Sequence, residues 1–144
     1  MARTYEELVG GTFREWFANH RREIDALVFD VDGVLMIKGE PMPGAEELLA
    51  TVRADGIAFT LLTNDGCSSP EQKCRKLAQS GLHIAPEELV SCGHGLEELV
   101  RQRGWRGAPA YVMGSLGEPS YAAQAGLEEV TDLHQMSGCC AAII

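Results

Sequence analysis

The chain has 144 residues, of which 45% are hydrophobic and 23% charged, and its formal net charge is −9. This length allows one modest hydrophobic core with a fragment of a second domain, in a protein of ordinary globular composition. The negative charge argues against a nucleic-acid surface or an anionic membrane as partner, because both require clustered Lys and Arg.

The first predicted element is a helix over residues 4–20, within an N-terminal extension of residues 1–23. The Gly10-Gly11 pair interrupts its helical pattern. The side chains of its apolar stripe are Leu8, Phe13, Trp16 and Phe17.

Residues 24–29 form the first predicted strand, because Ala26-Leu27-Val28-Phe29 is a continuous apolar run too short for a buried helix. Such a run is typical of a parallel strand that is covered on both faces. It ends at Asp30-Val31-Asp32-Gly33, and the turn-rich residues 38–44 predict a small flap over the strand end.

A helix is predicted next, over residues 44–55, because apolar side chains recur there at the spacing of one helix face. The second strand, residues 57–62, leads into Thr63-Asn64-Asp65-Gly66. Ser69 then has the features of a helix N-cap, with Pro70 at the first helical position and Gln72 completing a capping box.

That third helix is expected to end at Gly81, and a further helix to stop near Gly104. After residue 107 the pattern restarts with a strand at 109–113, a glycine turn, a short helix and an apolar segment at 139–144. We therefore assign residues 24–107 to a partial core domain and residues 108–144 to the start of a second, incomplete domain.

Polar side chains follow both of the first two strands at the point where each strand ends. Strand, crossover helix and strand in this order predict a three-layer α/β fold of Rossmann type with a parallel sheet. Ligands bind at the carboxyl ends of such strands, so Asp30 and Asp32 are expected to lie near Thr63 and Asn64.

The spacing of the two aspartates points to phosphate chemistry. Side chains at i and i+2 of an extended backbone face the same side, and two carboxylates there require a cation or a shared proton. Mg²⁺ binds such carboxylates together with a substrate phosphate, after which one carboxylate can attack phosphorus and the other can transfer protons. Gly33 gives backbone N–H groups access to phosphate oxygens, and Thr63 and Asn64 offer neutral donors.

Several segments resemble the haloacid dehalogenase superfamily. These are ALVFDVDGVL at residues 26–35, the Pro43-Gly44 turn and LLTN at residues 61–64. The run PGAEELL and the segment YVMG at residues 111–114 resemble subclass IIA, whose cap domain is inserted after the second motif. That subclass includes the NagD-like and p-nitrophenylphosphatase-like phosphatases of sugars and small metabolites.

The resemblance implies a role for each matching residue. Asp30 would be the nucleophile and a metal ligand, and Asp32 the general acid/base that also binds Mg²⁺ through its backbone carbonyl. Thr63 and Asn64 match the second motif, which binds phosphate. The presence of Asp32 favours phosphoryl transfer over dehalogenation, and a small phosphorylated metabolite would be the substrate.

Two departures from the family pattern are visible. Asp65-Gly66 stands where relatives often carry a second Asn and a Ser or Pro, and an extra carboxylate beside phosphate is unfavourable unless it points away or meets the metal shell. The third-motif Lys and the fourth-motif acids lie beyond the point where this chain ends, so we expect a truncated chain with feeble activity. Lys73 and Lys76, on one helix with Arg75, are expected to be surface charge.

Three alternatives stay open at this point. The first alternative is a non-catalytic fragment that binds metal, phosphate or a protein partner, or self-associates through its final apolar strand. A receiver domain also uses aspartates at strand ends, but nothing equivalent follows the later strands. The Gly114/Gly117 turn is an incomplete dinucleotide fingerprint and favours a tight strand-to-helix connection instead.

The five cysteines are odd in number and form no C-x-x-C pair, which predicts buried or incidental thiols. Cys92-Gly93-His94 offers two metal ligands without a second pair. The N-terminus has no apolar stretch of the signal-peptide type, and no run approaches the roughly 20 apolar residues of a membrane span. The sequence therefore predicts a cytoplasmic protein.

Overall fold

The computed structural model describes residues 12–144. Its α-helices are α1 (Phe13–His20), α2 (Ala45–Ala54), α3 (Pro70–Gln79), α4 (Gly95–Arg103) and α5 (Tyr121–Gln124). Its strands are β1 (Ala26–Asp30), β2 (Met36–Ile37), β3 (Glu40–Pro41), β4 (Ala58–Thr63), β5 (Leu89–Ser91), β6 (Pro109–Val112), β7 (Glu128–Val130) and β8 (Ala141–Ile143). Short 3-10 turns lie at Arg21–Glu23, Pro86–Glu88, Cys92–His94 and Leu133–Gly138.

Two parallel sheets organise these elements. The first has the strand order β1-β4-β5 and the second the order β7-β6-β8, and every pairing in both is parallel. The predicted α/β class with parallel sheets is therefore confirmed. β2 and β3 form an antiparallel hairpin in the segment after β1, where a flap was predicted.

Local capping sets the helix starts. The Thr12 side chain accepts a hydrogen bond from the backbone N–H of Glu15, and the Glu15 carboxylate accepts one from the backbone N–H of Thr12, so α1 begins at Phe13. The predicted capping box at Ser69 and Gln72 is confirmed, with Pro70 opening α3. The part of the predicted N-terminal helix that falls on residues 4–11 lies outside the described residues.

Two short strands, β5 and β7, have no counterpart among the predicted elements. Each is three residues long, which is too short for a period-2 pattern to show, and β7 begins with two glutamates. Both are strands because they pair with a neighbour that is already formed, β4 or β6.

Within the described residues, helices cover one face of the first sheet and leave the other face open. Phe29, Leu61 and Leu89 are register neighbours and are all buried, against apolar side chains of α2 and α3. On the opposite face Val28 is 64% exposed, and Leu62 and Val90 are exposed as well. The expectation of a strand covered on both faces is therefore wrong for this part of the chain, because helices pack only on the Phe29 side.

A second hydrophobic cluster surrounds the second sheet. It combines Val100 of α4 with Ala110 and Val112 of β6 and with residues of and after α5. Packing therefore groups α4 with the second sheet, although it precedes residue 107 in the chain. None of the described helices is both long enough and apolar enough to cross a membrane.

Candidate active site

The carboxyl ends of three parallel strands meet at one edge of the first sheet. Asp30, the last residue of β1, is in register with Leu62 of β4, so Thr63 and Asn64 follow directly on the neighbouring strand. Thr63 is in turn in register with Ser91, which ends β5. The parallel register thus brings the two predicted motifs to one edge, where α/β proteins bind ligands.

Asp30 has an exposed side chain at this edge. Its Oδ1 accepts a hydrogen bond of 2.9 Å from the backbone N–H of Val31, which fixes the carboxylate to its own turn. The other oxygen has no hydrogen-bond partner among residues 12–144. One oxygen is therefore held and the other is free to meet a ligand, an arrangement suited to a nucleophile.

A tight turn follows Asp30 and presents Asp32. The carbonyl of Val31 accepts hydrogen bonds from the N–H groups of Leu35 and Met36, at 3.0 and 2.9 Å. Gly33 has φ +94°, a conformation that glycine adopts without strain, and donates its own N–H to Met36 O at 2.7 Å. The N–H of Gly33 is thus used inside the turn, and its contribution to the site is the shape of the backbone.

Lys73 is part of the site, and the expectation that it is surface charge is wrong. Its side chain is only 12% exposed, and its Nζ donates hydrogen bonds to Asp32 Oδ2 at 3.0 Å and to Asp65 Oδ2 at 3.1 Å. It lies one turn into α3, which starts a few residues after β4 and directs this side chain back over the strand end. Lys76 is exposed but also turns toward this loop, where its Nζ donates to Ser68 Oγ at 2.8 Å.

Asp65 is the partner that neutralises Lys73 from the other side. Its Oδ1 accepts from the N–H of Cys67 at 2.9 Å. Burial opposes its ionisation, but the hydrogen bond and charge of Lys73, with the Cys67 N–H, hold the pKa of Asp65 below its usual value. Burial would lower the pKa of the Lys73 ammonium, but the carboxylates of Asp32 and Asp65 outweigh this effect and raise it. The extra carboxylate is therefore stabilised by an ion pair within the site.

Thr63 and Asn64 differ in what they expose. Thr63 is buried, and its hydroxyl oxygen accepts the N–H of Asp65 at 3.1 Å, so the side chain shapes the loop after β4. Asn64 is exposed, and its backbone carbonyl accepts a hydrogen bond from Cys92 Sγ at 3.1 Å. The amide side chain of Asn64 is therefore the more accessible of these two predicted phosphate-binding groups.

The second sheet is attached close to this loop. Tyr121 Oη accepts from Ser91 Oγ at 2.7 Å and donates to the carbonyl of Ser68 at 3.3 Å, and its burial raises its pKa. Ser69 Oγ donates to the carbonyl of Glu118 at 2.9 Å, at the start of α3. These contacts fix the loop that carries Asp65 from the side opposite to β1.

The donor set at the strand ends suits a hard cation. Asp30 offers carboxylate oxygens and Asp32 its backbone carbonyl, and Mg²⁺ commonly takes one or two carboxylates and completes its shell with other oxygen ligands such as phosphate and water. Among the described residues no group of three or more His, Cys, Asp or Glu side chains is arranged to hold a metal ion.

His94 Nδ1 accepts the N–H of Ser91 at 3.0 Å, so this nitrogen serves as a local cap. All five cysteines are free thiols.

Lys73 is the site residue that sequence reasoning missed. A signal was available, because Asp65 is an added carboxylate beside two others and such a cluster requires a cation nearby. Lys73 lies eight residues after Asp65, within reach of the strand end from the first turns of the next helix. The expected like-charge conflict was therefore a signal from which a lysine partner could have been predicted.

The fold and these residues define a class of protein: a parallel α/β protein with an aspartate site at the carboxyl ends of its strands. The chain belongs to the haloacid dehalogenase-like hydrolase family, whose sequence model matches residues 27–128. The family resemblance seen in the sequence is thus confirmed.

Individual relatives are phosphatases by name. The chain is 34% identical over 92 residues to the dihydroxyacetone phosphatase of Corynebacterium glutamicum strain R, covering 61% of this chain and 32% of that protein. It is 26% identical over 113 residues to the acid sugar phosphatase of Staphylococcus aureus strain USA300, covering 78% of this chain and 43% of that protein. The chain thus spans less than half the length of these curated relatives.

Among solved structures, NagD from E. coli strain K-12 superposes on the chain with a TM-score of 0.64 at 25% identity. The match covers 74% of this chain and 41% of NagD. The fold of this chain is therefore similar to that of a part of NagD.

Proposed function

We propose that the chain carries the nucleophile and the acid of a Mg²⁺-dependent phosphomonoester hydrolase that works through an aspartyl-phosphate on Asp30. The observation that carries this proposal is the Asp30 carboxylate, exposed at a strand end with one oxygen tied to Val31 N–H and the other free. Asp32 lies two residues away, in hydrogen-bond contact with a lysine.

Each side chain has a separate task in the proposed reaction. The free oxygen of Asp30 attacks phosphorus, and the bond to the leaving alcohol breaks. Asp32 donates a proton to the leaving oxygen and then takes one from the water that hydrolyses the intermediate. Asn64 donates hydrogen bonds to phosphoryl oxygens, while Thr63 holds the loop beside it.

Asp30 and Asp32 are the residues that would hold Mg²⁺. When bound, the cation screens the negative charge of the phosphate and so allows a carboxylate to approach it. Local positive charge is required here because the chain as a whole has a net charge of −9.

The substrate class we propose is a small phosphorylated metabolite of sugar-phosphate type. The names of two relatives, a dihydroxyacetone phosphatase and an acid sugar phosphatase, support this class. We also propose a cytoplasmic location. By chain order we propose a core of residues 24–107 and the first part of a cap at 108–144, with α4 of the core segment packing against the second sheet. Neither nucleic acid nor a membrane is proposed as partner.

A second candidate is a non-catalytic protein that binds Mg²⁺ or phosphate without turnover. It is favoured by one observation: within residues 12–144 no third acidic side chain is grouped with Asp30 and Asp32, so a cation would be held too loosely to support turnover while phosphate could still bind. It differs from the first candidate in predicting metal binding without release of phosphate.

The test is Mg²⁺-dependent release of p-nitrophenol from p-nitrophenyl phosphate by the chain and by its Asp30→Asn variant. We expect activity to fall by at least about 1,000-fold in the variant, because an amide cannot serve as the nucleophile. Asp25→Asn is the matched control, since Asp25 is an exposed aspartate that precedes the same strand.

Equal rates in the Asp30→Asn variant and the unaltered chain would contradict the assignment of Asp30. Calorimetric binding of Mg²⁺ without any phosphate release would support the non-catalytic candidate instead.

A further inference from the structure

Lys73 joins two carboxylates that are far apart in the sequence. Its Nζ lies 3.0 Å from Asp32 Oδ2 and 3.1 Å from Asp65 Oδ2. The three side chains differ in exposure, since Lys73 is 12%, Asp65 23% and Asp32 56% exposed. The ammonium is thus a largely buried anchor, and Asp32 is the solvent-facing end of the cluster.

The anchor is fixed by its surroundings. Lys73 lies on α3, whose first turn is held by the Ser69–Gln72 capping box. The Gln72 side chain also accepts the N–H of Glu118 at 2.9 Å, which ties this turn to the segment before α5. Asp65 is held in turn by Cys67 N–H and, through its own N–H, by Thr63. The lysine and its counter-charge therefore form a rigid unit.

Asp32 lacks comparable support from its own turn. The backbone around it is fixed by Val31 and Gly33, but within residues 12–144 the hydrogen bond that its carboxylate accepts comes from Lys73. A carboxylate that transfers protons must hold one position relative to the leaving oxygen, and misplacement by about 1 Å can cost on the order of 100-fold in rate.

We propose that Lys73 is a positioning residue, which holds the Asp32 carboxylate for proton transfer while Asp65 balances the charge of the ammonium. We name the set Asp32, Lys73 and Asp65 the carboxylate clamp. This inference rests on the proposed function, because it gives Asp32 the role of proton donor. Within residues 12–144, Lys73 Nζ donates its hydrogen bonds to carboxylates. We therefore assign Lys73 to positioning and not to direct binding of phosphate.

The test compares two substrates with different leaving groups. p-Nitrophenolate departs readily without a proton, whereas the alkoxide of glycerol phosphate requires one, so a misplaced acid affects the second substrate more. We expect Lys73→Met to lower kcat for glycerol phosphate on the order of 100-fold, with under about 10-fold loss for p-nitrophenyl phosphate and little change in KM. Lys73→Arg should restore part of the loss, because a guanidinium can still donate to both carboxylates.

Lys76→Met is the matched control, since Lys76 lies on the same helix and contacts Ser68 but neither carboxylate. It should leave the ratio of the two rates unchanged. An equal loss of kcat for both substrates in Lys73→Met, or a rise in KM alone, would overturn the positioning role, and the rise in KM would identify a phosphate ligand.

A second measurement does not depend on turnover. In NMR spectra of the lysine side chains, the Lys73 ammonium should exchange its protons slowly with water, and Asp65→Asn should accelerate that exchange. No slowly exchanging ammonium in the unaltered chain would overturn the clamp. If that signal is present but the unaltered chain releases no phosphate, the proposed function fails while the contact stands.

Discussion

Gly117 lies against the start of α3 more closely than a residue with a side chain can. Its φ is +85°, and a Cβ built on it would overlap the backbone nitrogen of Ser69 and lie 3.0 Å from its Cα. Gly114 has a similar φ of +94° but open space around the same position. Comparing substitutions at the two glycines therefore distinguishes the cost of backbone strain from the cost of steric overlap.

We expect Gly117→Ala to lower the free energy of unfolding by about 2–4 kcal/mol, and Gly114→Ala by about 1–2 kcal/mol. Both variants bear the cost of a left-handed conformation, and only the first also displaces a backbone contact. Urea denaturation of both variants measures the difference. Equal losses would show that the overlap at Ser69 is relieved by a small shift.

At the scale of elements, one ion pair connects helix α2 to the turn before β5. Arg53 Nη2 donates to Glu88 Oε2 at 2.7 Å and to the carbonyl of His83 at 2.8 Å. Burial disfavours ionised Glu88, but Arg53 and the N–H of Ala85 outweigh it, so the pKa of Glu88 lies below its ordinary 4.5. A lowered pKa in the folded state adds stability above pH 4.5, and that stability is lost as the pH falls through the folded value.

Glu88→Gln should therefore lower the free energy of unfolding at pH 7 by up to about 1 kcal/mol, the usual size for a partly exposed pair. The difference from the unaltered chain should shrink as the pH falls below 4.5. Urea denaturation at several pH values measures it, with Glu87→Gln, an exposed neighbour, as control. A difference independent of pH would assign the effect to packing and not to charge.

At the scale of the whole molecule, the open face of the first sheet is an apolar surface within residues 12–144. It includes Val28, Leu62 and Val90. Leu62 and Val90 are register neighbours, and Val28 lies on β1 two residues before Asp30, the register partner of Leu62. Apolar patches of this kind promote association, so we expect the 144-residue chain to self-associate as its concentration rises.

Val28→Lys should weaken this association, because a charge on the open face resists burial. Sedimentation over a range of concentrations measures the change. Leu133→Lys is the control, since Leu133 is 62% exposed but lies outside the first sheet. If both variants associate as the unaltered chain does, the contact lies elsewhere.

Much of the fold follows from short-range pattern. The apolar runs of β1 and β4, the i, i+3, i+4, i+7 spacing of α2 and the Ser69–Gln72 box of α3 depend on residues within about two turns of one another. The two aspartates and the Thr-Asn pair could be assigned to strand ends for the same reason. These features were accessible to sequence reasoning because neighbours in the chain determine them.

The tertiary structure decided what depends on residues far apart. β5 and β7 are strands only because a partner strand accepts them, and one sheet face is open because helices pack on the other. Lys73 and Asp32 are 41 residues apart, and only the parallel crossover brings α3 back over the end of β1. The sequence alone determined which residues could carry the chemistry, and long-range packing decided that a lysine holds the proposed acid in place.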